Sequence, residues 1–120
     1  YSTLKDTAPG ESSEVMRERV IRARKLQEQR FAAYNEAAKK PIHSNAQMTP
    51  KLVREFCQLD AASDKMLSYA MDKMGLSARA YDRILKVART IADLDGNDSI
   101  QIQHISEAIG YRSLDREDWV

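Results

Sequence analysis

The residue types best suited to chemistry lie where one predicted helix ends and the next begins, between Gly75 and Arg79. Gly75 favours a helix end, because glycine adopts the left-handed conformation that closes a helix. Ser77 favours a helix start, because its hydroxyl can accept hydrogen bonds from the free amides of a first turn. Arg79 then falls in that first turn, where its guanidinium adds a permanent positive charge to a position that already attracts anions. Ser77 and Arg79 are therefore a candidate phosphate site, although the spacing alone favours a solvated arginine on an amphipathic helix.

Other residue types that could do chemistry are few and scattered. The sequence has no glycine-rich G-x-x-x-x-G-K-[ST] loop, no acidic pair after an apolar strand, and no Cys/His cluster with zinc-site spacing. His43 lies in a predicted loop and His104 near the last helix, so surface or helix-end roles are expected for both. Cys57 follows Phe56 on an apolar face, which indicates a buried structural thiol. We predict no catalytic residue and no metal ligand, so this fragment alone should not hydrolyse a nucleotide.

Composition favours a small helical domain without a global charge bias. The chain has 120 residues, 42% of them hydrophobic and 31% charged, which fits one soluble globular domain. Nineteen Lys and Arg oppose eighteen Asp and Glu, for a net charge of +1. Nucleic-acid or lipid binding would therefore have to rest on a local basic patch. A single cysteine and the lack of a signal segment or a long apolar run indicate a cytoplasmic protein with no membrane span.

Helix signals run along almost the whole chain. A long first helix should begin at Ser12 or Ser13 and end near residues 39–40, with Met16, Val20, Ala23 and Leu26 along its apolar stripe. Later helices are predicted from Thr49, from Asp60 to Gly75, from Ser77 to the turn at residues 95–98, and finally a short one that closes at Gly110. Alternation at residues 99–102 indicates at most a very short strand. The fold class is therefore all-α, a compact bundle of about five helices.

Four separated blocks in the sequence carry a resemblance to a known family. They are GESSEVMRERVIRAR at residues 10–24, FCQLDAA at residues 56–62, GLSARAYDRILKVARTIADL at residues 75–94, and IQxxHIxEAIxYR at residues 100–112. In this order they resemble the C-terminal lid of the Mg-chelatase-like AAA+ ATPases, the ComM/YifB group. The resemblance covers nearly the whole chain and implies the AAA+ C-terminal lid type of helical bundle.

The resemblance implies a role for the start of the signature helix. In such ATPases, nucleotide sits between an α/β core and a helical lid whose sensor-2 arginine reaches the terminal phosphate. The matching residue here is Arg79, with Ser77 beside it. ATP and Mg²⁺ would then be cofactors of the parent protein, held mainly by residues outside this fragment. The parent would be an ATPase that couples hydrolysis to motion of a homo-oligomeric ring, and the ComM resemblance adds DNA remodelling or branch migration.

Basic side chains on two helices leave further roles open. Arg83, Lys86 and Arg89 continue the basic side of the signature helix, and Arg24 is one of several cations on the first helix. Solvated charges are one interpretation; contacts between ring subunits or with DNA are the others, and we rank subunit contact above DNA. The alternative to an ATPase lid is a stand-alone helical module that binds nucleic acid or a protein partner through these basic helices.

The predicted domain boundaries follow from these patterns. Residues 1–11 are polar and rich in turn formers, and we expect them to be a linker from a missing ATPase core, because the chain begins at Tyr1 and not at methionine. Residues 12–112 should form the helical lid domain and residues 113–120 a charged C-terminal tail. The expected partner of the lid is the AAA+ core of its own polypeptide.

Overall fold

Five α-helices and one short 3₁₀ turn make up the part of the chain that the structure describes. This computed structural model describes residues 13–118, with side chains to residue 111. The helices are α1 (Ser13–Ala37), α2 (Pro50–Phe56), α3 (Ala61–Met74), α4 (Ala78–Leu94) and α5 (Ile102–Asp118), and the 3₁₀ turn at Asn45–Gln47 precedes α2. The predicted all-α bundle of about five helices is confirmed. The predicted linker at residues 1–11 and the cap at Ser12 lie outside the described residues.

Local capping sets the starts of the middle helices. Thr49 Oγ1 accepts a hydrogen bond from Leu52 N at 3.3 Å. Asp60 Oδ1 accepts from the backbone N of Ser63 at 2.8 Å, and this hydrogen bond lowers the pKa of the Asp60 carboxyl. Each cap satisfies an amide that has no partner within its own helix, which is why a helix begins at that point. Both caps confirm the sequence prediction.

The signature helix α4 lies at the centre of the bundle. It contacts α1, the 3₁₀ turn, α2 and α5, while α3 packs on α5. The apolar face predicted for α4 is confirmed, since Ile84, Leu85 and Ala88 are all at most 3% exposed. The largest apolar side chains of the core come from every helix and from the segment before α5: Phe31, Val53, Leu67, Ile84, Ile100 and Ile105.

Among the described residues, the buried side chains of the first helix begin at Ala23 and continue with Gln27 and Phe31. Phe31 is fully buried and meets Phe56 of α2 edge to face, with ring centroids 5.6 Å apart. Met16 and Val20, which the sequence placed on the buried stripe, are 55% and 39% exposed. That part of the prediction is wrong, because helical periodicity identifies an apolar stripe but not what covers it. The helix also ends at Ala37, slightly before the predicted position.

Of two local predictions near α5, the one that allowed at most a very short strand agrees with the structure, whereas the one that ended the last helix at Gly110 is wrong. No strand forms among residues 13–118, and the alternating segment at residues 99–102 is an irregular lead into α5 with no neighbouring strand to pair with. The last helix does not close at Gly110 but continues to Asp118. Gly110 keeps a helical backbone, whereas the described glycines with positive φ are Gly75 and Gly96. A glycine inside a helix costs only about 1 kcal/mol, which packing readily offsets.

Cys57 follows the end of α2 and is a buried structural thiol, as predicted. Its side chain belongs to the apolar core and is 3% exposed. Burial raises the pKa of the thiol to about 11, so it stays protonated and poorly nucleophilic near neutral pH. Among residues 13–118 we also find no helix with the length and apolar character that crossing a membrane requires.

Candidate functional site

The candidate site begins at the junction between α3 and α4. Gly75 adopts φ 61° and ψ 43°, the left-handed conformation that ends α3. Ser77 is the N-cap of α4, and its Oγ accepts from Ala80 N at 3.2 Å. The first backbone hydrogen bond of α4 runs from Tyr81 N to the Ser77 carbonyl at 3.0 Å. The amides of Ala78 and Arg79 precede that bond, so they remain available at the helix start.

Arg79 projects from this helix start into solvent. Its side chain is exposed and makes no hydrogen bond or ion pair within the described part of the chain. The helix dipole adds partial positive charge at the same end of α4. The positive charge of Arg79 is therefore not neutralised by the bundle and is directed at whatever approaches this end of α4.

Two further predicted residues lie beside Arg79. Arg83 and Lys86 line a shallow cavity of about 430 Å³ together with Arg79, Asp82 and Pro50. Their spacing of four and three residues places the cations on one side of α4. Lys86 Nζ donates to the carbonyl of Ala46 at 3.3 Å, which holds this lysine against the 3₁₀ turn. The cavity thus has three cations and one carboxylate, a lining that favours an anionic ligand.

The other two predicted site residues do not join this cavity. Ser77 acts as the helix cap, so its hydroxyl oxygen already accepts from a backbone amide. Arg24 is exposed on α1 and lines a different cavity of about 470 Å³, together with His43 and Glu28. No group of three or more His, Cys, Asp or Glu in the described chain could hold a metal ion.

Arg89 differs most from its predicted place. The sequence put it on the basic side of α4, yet it is only 4% exposed. Its Nε donates to Asp93 Oδ1 at 3.2 Å, and its two terminal nitrogens donate to the carbonyls of Asp98 and Asn97 at 2.9 and 2.7 Å. Arg89 therefore holds the α4–α5 loop against α4, and it is unable to contact a ring neighbour or DNA in this conformation.

Asp93 is the centre of a buried polar cluster that the sequence analysis missed. Arg30 of α1 donates to both Asp93 carboxylate oxygens, at 2.8 and 2.7 Å. Asn45 of the 3₁₀ turn donates to Asp93 Oδ2 at 2.9 Å and to Thr90 Oγ1 at 3.0 Å. We call Arg30, Asn45, Arg89 and Asp93 the Asp93 cluster. It joins α1, the 3₁₀ turn, α4 and the α4–α5 loop through charge-assisted hydrogen bonds.

The electrostatics of the Asp93 cluster favour an ionised carboxylate. Burial alone would raise the pKa of Asp93, but hydrogen bonds from Arg30 and Asn45 and the charges of Arg30 and Arg89 outweigh it and lower the pKa. The sequence contained one indication of this cluster. Arg89 and Asp93 follow Leu85 at intervals of four residues, which places them on the same buried face of α4. Such charged residues are seldom fully buried unless they are paired.

His104 has the helix-end role expected for it, although it is buried. Its Nδ1 accepts from the backbone N of Gln101 at 2.9 Å, just before α5, and its Nε2 lies 2.8 Å from Asp95 Oδ2. Since Nδ1 accepts a hydrogen bond, the proton of a neutral ring resides on Nε2, which donates to Asp95. His104 therefore helps to fix the start of α5. His43 is exposed in its loop, as predicted.

Comparisons with known proteins bear on most of this chain. The sequence profile of the family described as "Magnesium chelatase, subunit ChlI C-terminal" matches residues 10–112. The chain is 41% identical over 112 residues to protein YifB of Escherichia coli, which covers 93% of this chain and 20% of that protein. It is 40% identical over 107 residues to competence protein ComM of Haemophilus influenzae, covering 89% and 19% respectively. YifB of Salmonella typhimurium is 38% identical over 107 residues, again covering 89% and 19%.

The extent of these matches establishes the family of this domain but not the activity of the whole protein. The chain spans about a fifth of the length of these curated relatives. The family profile, in contrast, covers nearly all of the bundle, from before the start of α1 into α5. The resemblance drawn from the four sequence blocks is confirmed: this chain belongs to the Mg-chelatase-like C-terminal domain family that includes ComM and YifB.

Proposed function

We propose that this domain is the helical lid of a Mg-chelatase-like AAA+ ATPase and that Arg79 senses the terminal phosphate of bound ATP. The observation that carries the proposal is the presentation of Arg79. It lies in the first turn of α4, is exposed, and makes no hydrogen bond or ion pair with any described residue. An arginine with a structural role would form hydrogen bonds within the bundle, as Arg89 does.

The start of α4 suits a polyphosphate. Two helix-start amides and the guanidinium of Arg79 can donate to the same anion, and Arg83 and Lys86 extend the positive charge along the cavity. Hydrolysis of ATP breaks the bond to its terminal phosphate and so removes one charged group from this region. Mg²⁺ and the main nucleotide contacts belong, in this proposal, to an ATPase core outside the present chain.

Arg79 can couple nucleotide state to motion only if it distinguishes ATP from ADP. One charge-assisted hydrogen bond to the terminal phosphate contributes about 1.5–3 kcal/mol. A ligand shifts a conformational equilibrium only through its different affinity for the two states. Loss of the terminal phosphate would therefore release the lid from the core. In a homo-oligomeric ring the same release would change the contact with the neighbouring subunit and could drive DNA remodelling.

The test compares Arg79→Ala and Arg79→Lys with the wild type in the full-length protein. We expect the alanine variant to weaken ATP binding or lower turnover by roughly ten- to a hundredfold, since about 1.4 kcal/mol corresponds to a factor of ten. The lysine variant should recover part of the loss, because it restores the charge but not the bidentate geometry. ADP affinity should change little in both. Steady-state ATP turnover and nucleotide titration measure these effects.

A matched control is Arg54→Ala, which removes an exposed arginine from α2 outside the Arg79 cavity. It should leave turnover and nucleotide affinity at wild-type values. The assignment of Arg79 would be wrong if Arg79→Ala also left both quantities unchanged.

A second candidate function is favoured by the basic surface of α1. The exposed cations on its N-terminal half include Arg17, Arg22, Arg24 and Lys25. One relative is named competence protein ComM, and DNA is the polyanion we propose for this surface. If about four phosphates are neutralised, affinity for duplex or branched DNA should fall roughly a hundredfold between 50 and 200 mM salt.

The DNA experiment needs only the present chain. Fluorescence anisotropy with duplex and branched DNA at the two salt concentrations measures the slope. A variant with these four cations changed to glutamine is the control and should lose binding. Absence of binding at low salt by the wild type would contradict the DNA role and leave subunit contact as the use of this surface.

A further inference from the structure

A closed ring of hydrogen bonds joins Lys86 of α4 to the 3₁₀ turn. Lys86 Nζ donates to the carbonyl of Ala46 at 3.3 Å, although the two residues are 40 positions apart in the sequence. The backbone carbonyl of the same lysine accepts from Thr90 Oγ1 at 3.0 Å. Asn45, which precedes Ala46 in the turn, donates through Nδ2 to that Thr90 oxygen at 3.0 Å. Lys86 is therefore fixed to the 3₁₀ turn through both its side chain and its backbone.

The side chain of Lys86 also lines the cavity of about 430 Å³ that contains Arg79. One carboxylate, Asp82, offsets part of the positive charge of this cavity, and Arg83 already has an interaction partner. An ammonium group has three N–H donors, and among the described residues Lys86 uses one of them, on Ala46. Two donors therefore remain for an anion in the cavity, and the contact with the turn need not break when they are used.

The 3₁₀ turn connects this lysine to the rest of the bundle. Asn45 is only 1% exposed, and its side chain accepts from Arg30 of α1 at 2.9 Å and donates to Asp93 of α4 at 2.9 Å. The backbone N of Asn45 donates to Gln27 Oε1 of α1 at 3.0 Å. The residue next to Ala46 is thus held by both α1 and α4. A restraint on the Ala46 carbonyl therefore acts on a turn that is bonded to the first helix.

We propose that Lys86 bridges a phosphate group bound in the Arg79 cavity to the 3₁₀ turn, so that the turn responds to occupancy of the cavity. The inference rests on the proposed function for the identity of the anion, which is ATP in that proposal. Arg79 and Lys86 then have different roles. Arg79 contacts the terminal phosphate, whereas Lys86 transmits the presence of bound phosphate to the turn and, through Asn45, to the Asp93 cluster.

The physical basis of the bridge is the mobility of the lysine side chain. A lysine ammonium sits on a flexible four-carbon stem, and its contact with Ala46 is long and exposed to solvent. An ammonium–phosphate hydrogen bond has two ionised partners and is stronger than a hydrogen bond between neutral groups. A phosphate that holds the ammonium in place therefore makes the Ala46 contact more persistent, and the turn opens less often.

The test measures amide exchange of Gln47 and Met48 by NMR in the present chain. Their backbone N–H groups close the 3₁₀ turn, because they donate to the carbonyls of Ser44 and Asn45, each at 3.1 Å. Inorganic tripolyphosphate at millimolar concentration is the probe, and sodium chloride at the same ionic strength is its control. We expect tripolyphosphate to slow exchange of both amides by roughly three- to tenfold, the factor that one net hydrogen bond represents.

Two variants isolate the role of Lys86. Lys86→Gln removes the charge, and tripolyphosphate should no longer slow exchange in the turn, although circular dichroism should show an intact fold. The amides of Ala78 and Arg79 should still respond to tripolyphosphate in this variant, because the start of α4 is unchanged. Lys86→Arg restores the charge and should recover part of the response in the turn. Lys65→Gln, at an exposed lysine on α3, should behave as the wild type.

Two results would overturn the bridge. The first is equal slowing in the wild type and in Lys86→Gln, since the effect would then reach the turn by another route. The second is a wild-type exchange rate that tripolyphosphate leaves unchanged. In that case Lys86 would have only a structural role, even if Lys86→Gln altered the exchange rate by itself.

Failure of the bridge and failure of the sensor role give different results. If Arg79→Ala left ATP turnover and ATP affinity of the full-length protein unchanged while the Lys86-dependent slowing persisted, the bridge would stand and the bound anion would not be ATP. If Arg79→Ala weakened ATP binding but tripolyphosphate did not change exchange in the turn, the sensor role would stand and the bridge would be wrong.

Discussion

Asp93→Asn should destabilise this domain by about 3–5 kcal/mol, because it leaves Arg30 and Arg89 buried without their counter-charge. Both guanidiniums now lie within 2.7–3.1 Å of the same carboxylate oxygen, and their side chains are only 13% and 5% exposed. Domains of this size have about 5–15 kcal/mol of stability, so the loss should lower the melting temperature by roughly 15 °C or more. Urea unfolding followed by circular dichroism measures the free energy directly.

The pH dependence of the stability lost in Asp93→Asn provides a specific control. The folded-state pKa of Asp93 is lowered from an ordinary value of 3.8, so the folded state binds fewer protons than the unfolded state in acid. Its contribution to stability is complete above the unfolded pKa and is lost as the pH falls through the lower, folded value. The gap between wild type and Asp93→Asn should therefore narrow below about pH 4. Glu55→Gln, at an exposed carboxylate on α2, should cost little at any pH.

The Asp93 cluster can also be tested for coupling. Combining Arg30→Met with Asp93→Asn should cost clearly less than the sum of the single changes, because residues in one network are not additive. If Asp93→Asn cost less than about 1 kcal/mol at neutral pH, the cluster would not stabilise the bundle in the way its hydrogen bonds indicate.

Phe31→Ala should cost about 3–5 kcal/mol through the cavity that it leaves at the junction of α1 and α2. Phe31 is fully buried and makes the edge-to-face contact with Phe56. Because Phe31 is the largest of the buried side chains of α1, it contributes much of the apolar attachment of the helix. Amide exchange of α1 should therefore accelerate together with the fall in urea midpoint.

Two comparisons make the Phe31 result interpretable. Phe31→Leu keeps most of the buried apolar volume and should cost no more than about half as much. Tyr69→Ala removes an exposed aromatic ring from α3 and should have little effect on unfolding. Exchange rates in α1 that did not change in Phe31→Ala would mean that other contacts hold the helix.

Local signals predicted the helix boundaries well where a single residue controls them. Thr49, Asp60 and Ser77 each accept a hydrogen bond from a helix-start amide, and Gly75 supplies the left-handed turn. These effects depend on neighbours within a few residues, so they can be read from the sequence. Gly110 shows the limit: its propensity favours a helix end, yet its backbone stays helical and α5 continues to Asp118.

Interactions between distant residues could not be read in the same way. Arg30 and Asp93 are 63 positions apart, and residue type alone assigns both to the surface. The sequence also failed to predict that Met16 and Val20 are exposed. An apolar stripe predicts that its side chains are buried, but it does not identify the part of the protein that buries them. At the candidate site, the capped start of α4 followed from local sequence, whereas the joint cavity of Arg79, Arg83 and Lys86 with Pro50 required the fold.

The Asp93 cluster has a mechanical consequence. Its hydrogen bonds join α1, the 3₁₀ turn, α4 and the α4–α5 loop, so α4 cannot rotate independently of these neighbours. A force applied at the Arg79 end of this 17-residue helix, about 25 Å long, is therefore transmitted to the bundle as a whole. We expect the hinge for any nucleotide-driven rotation to lie outside the elements that the Asp93 cluster joins.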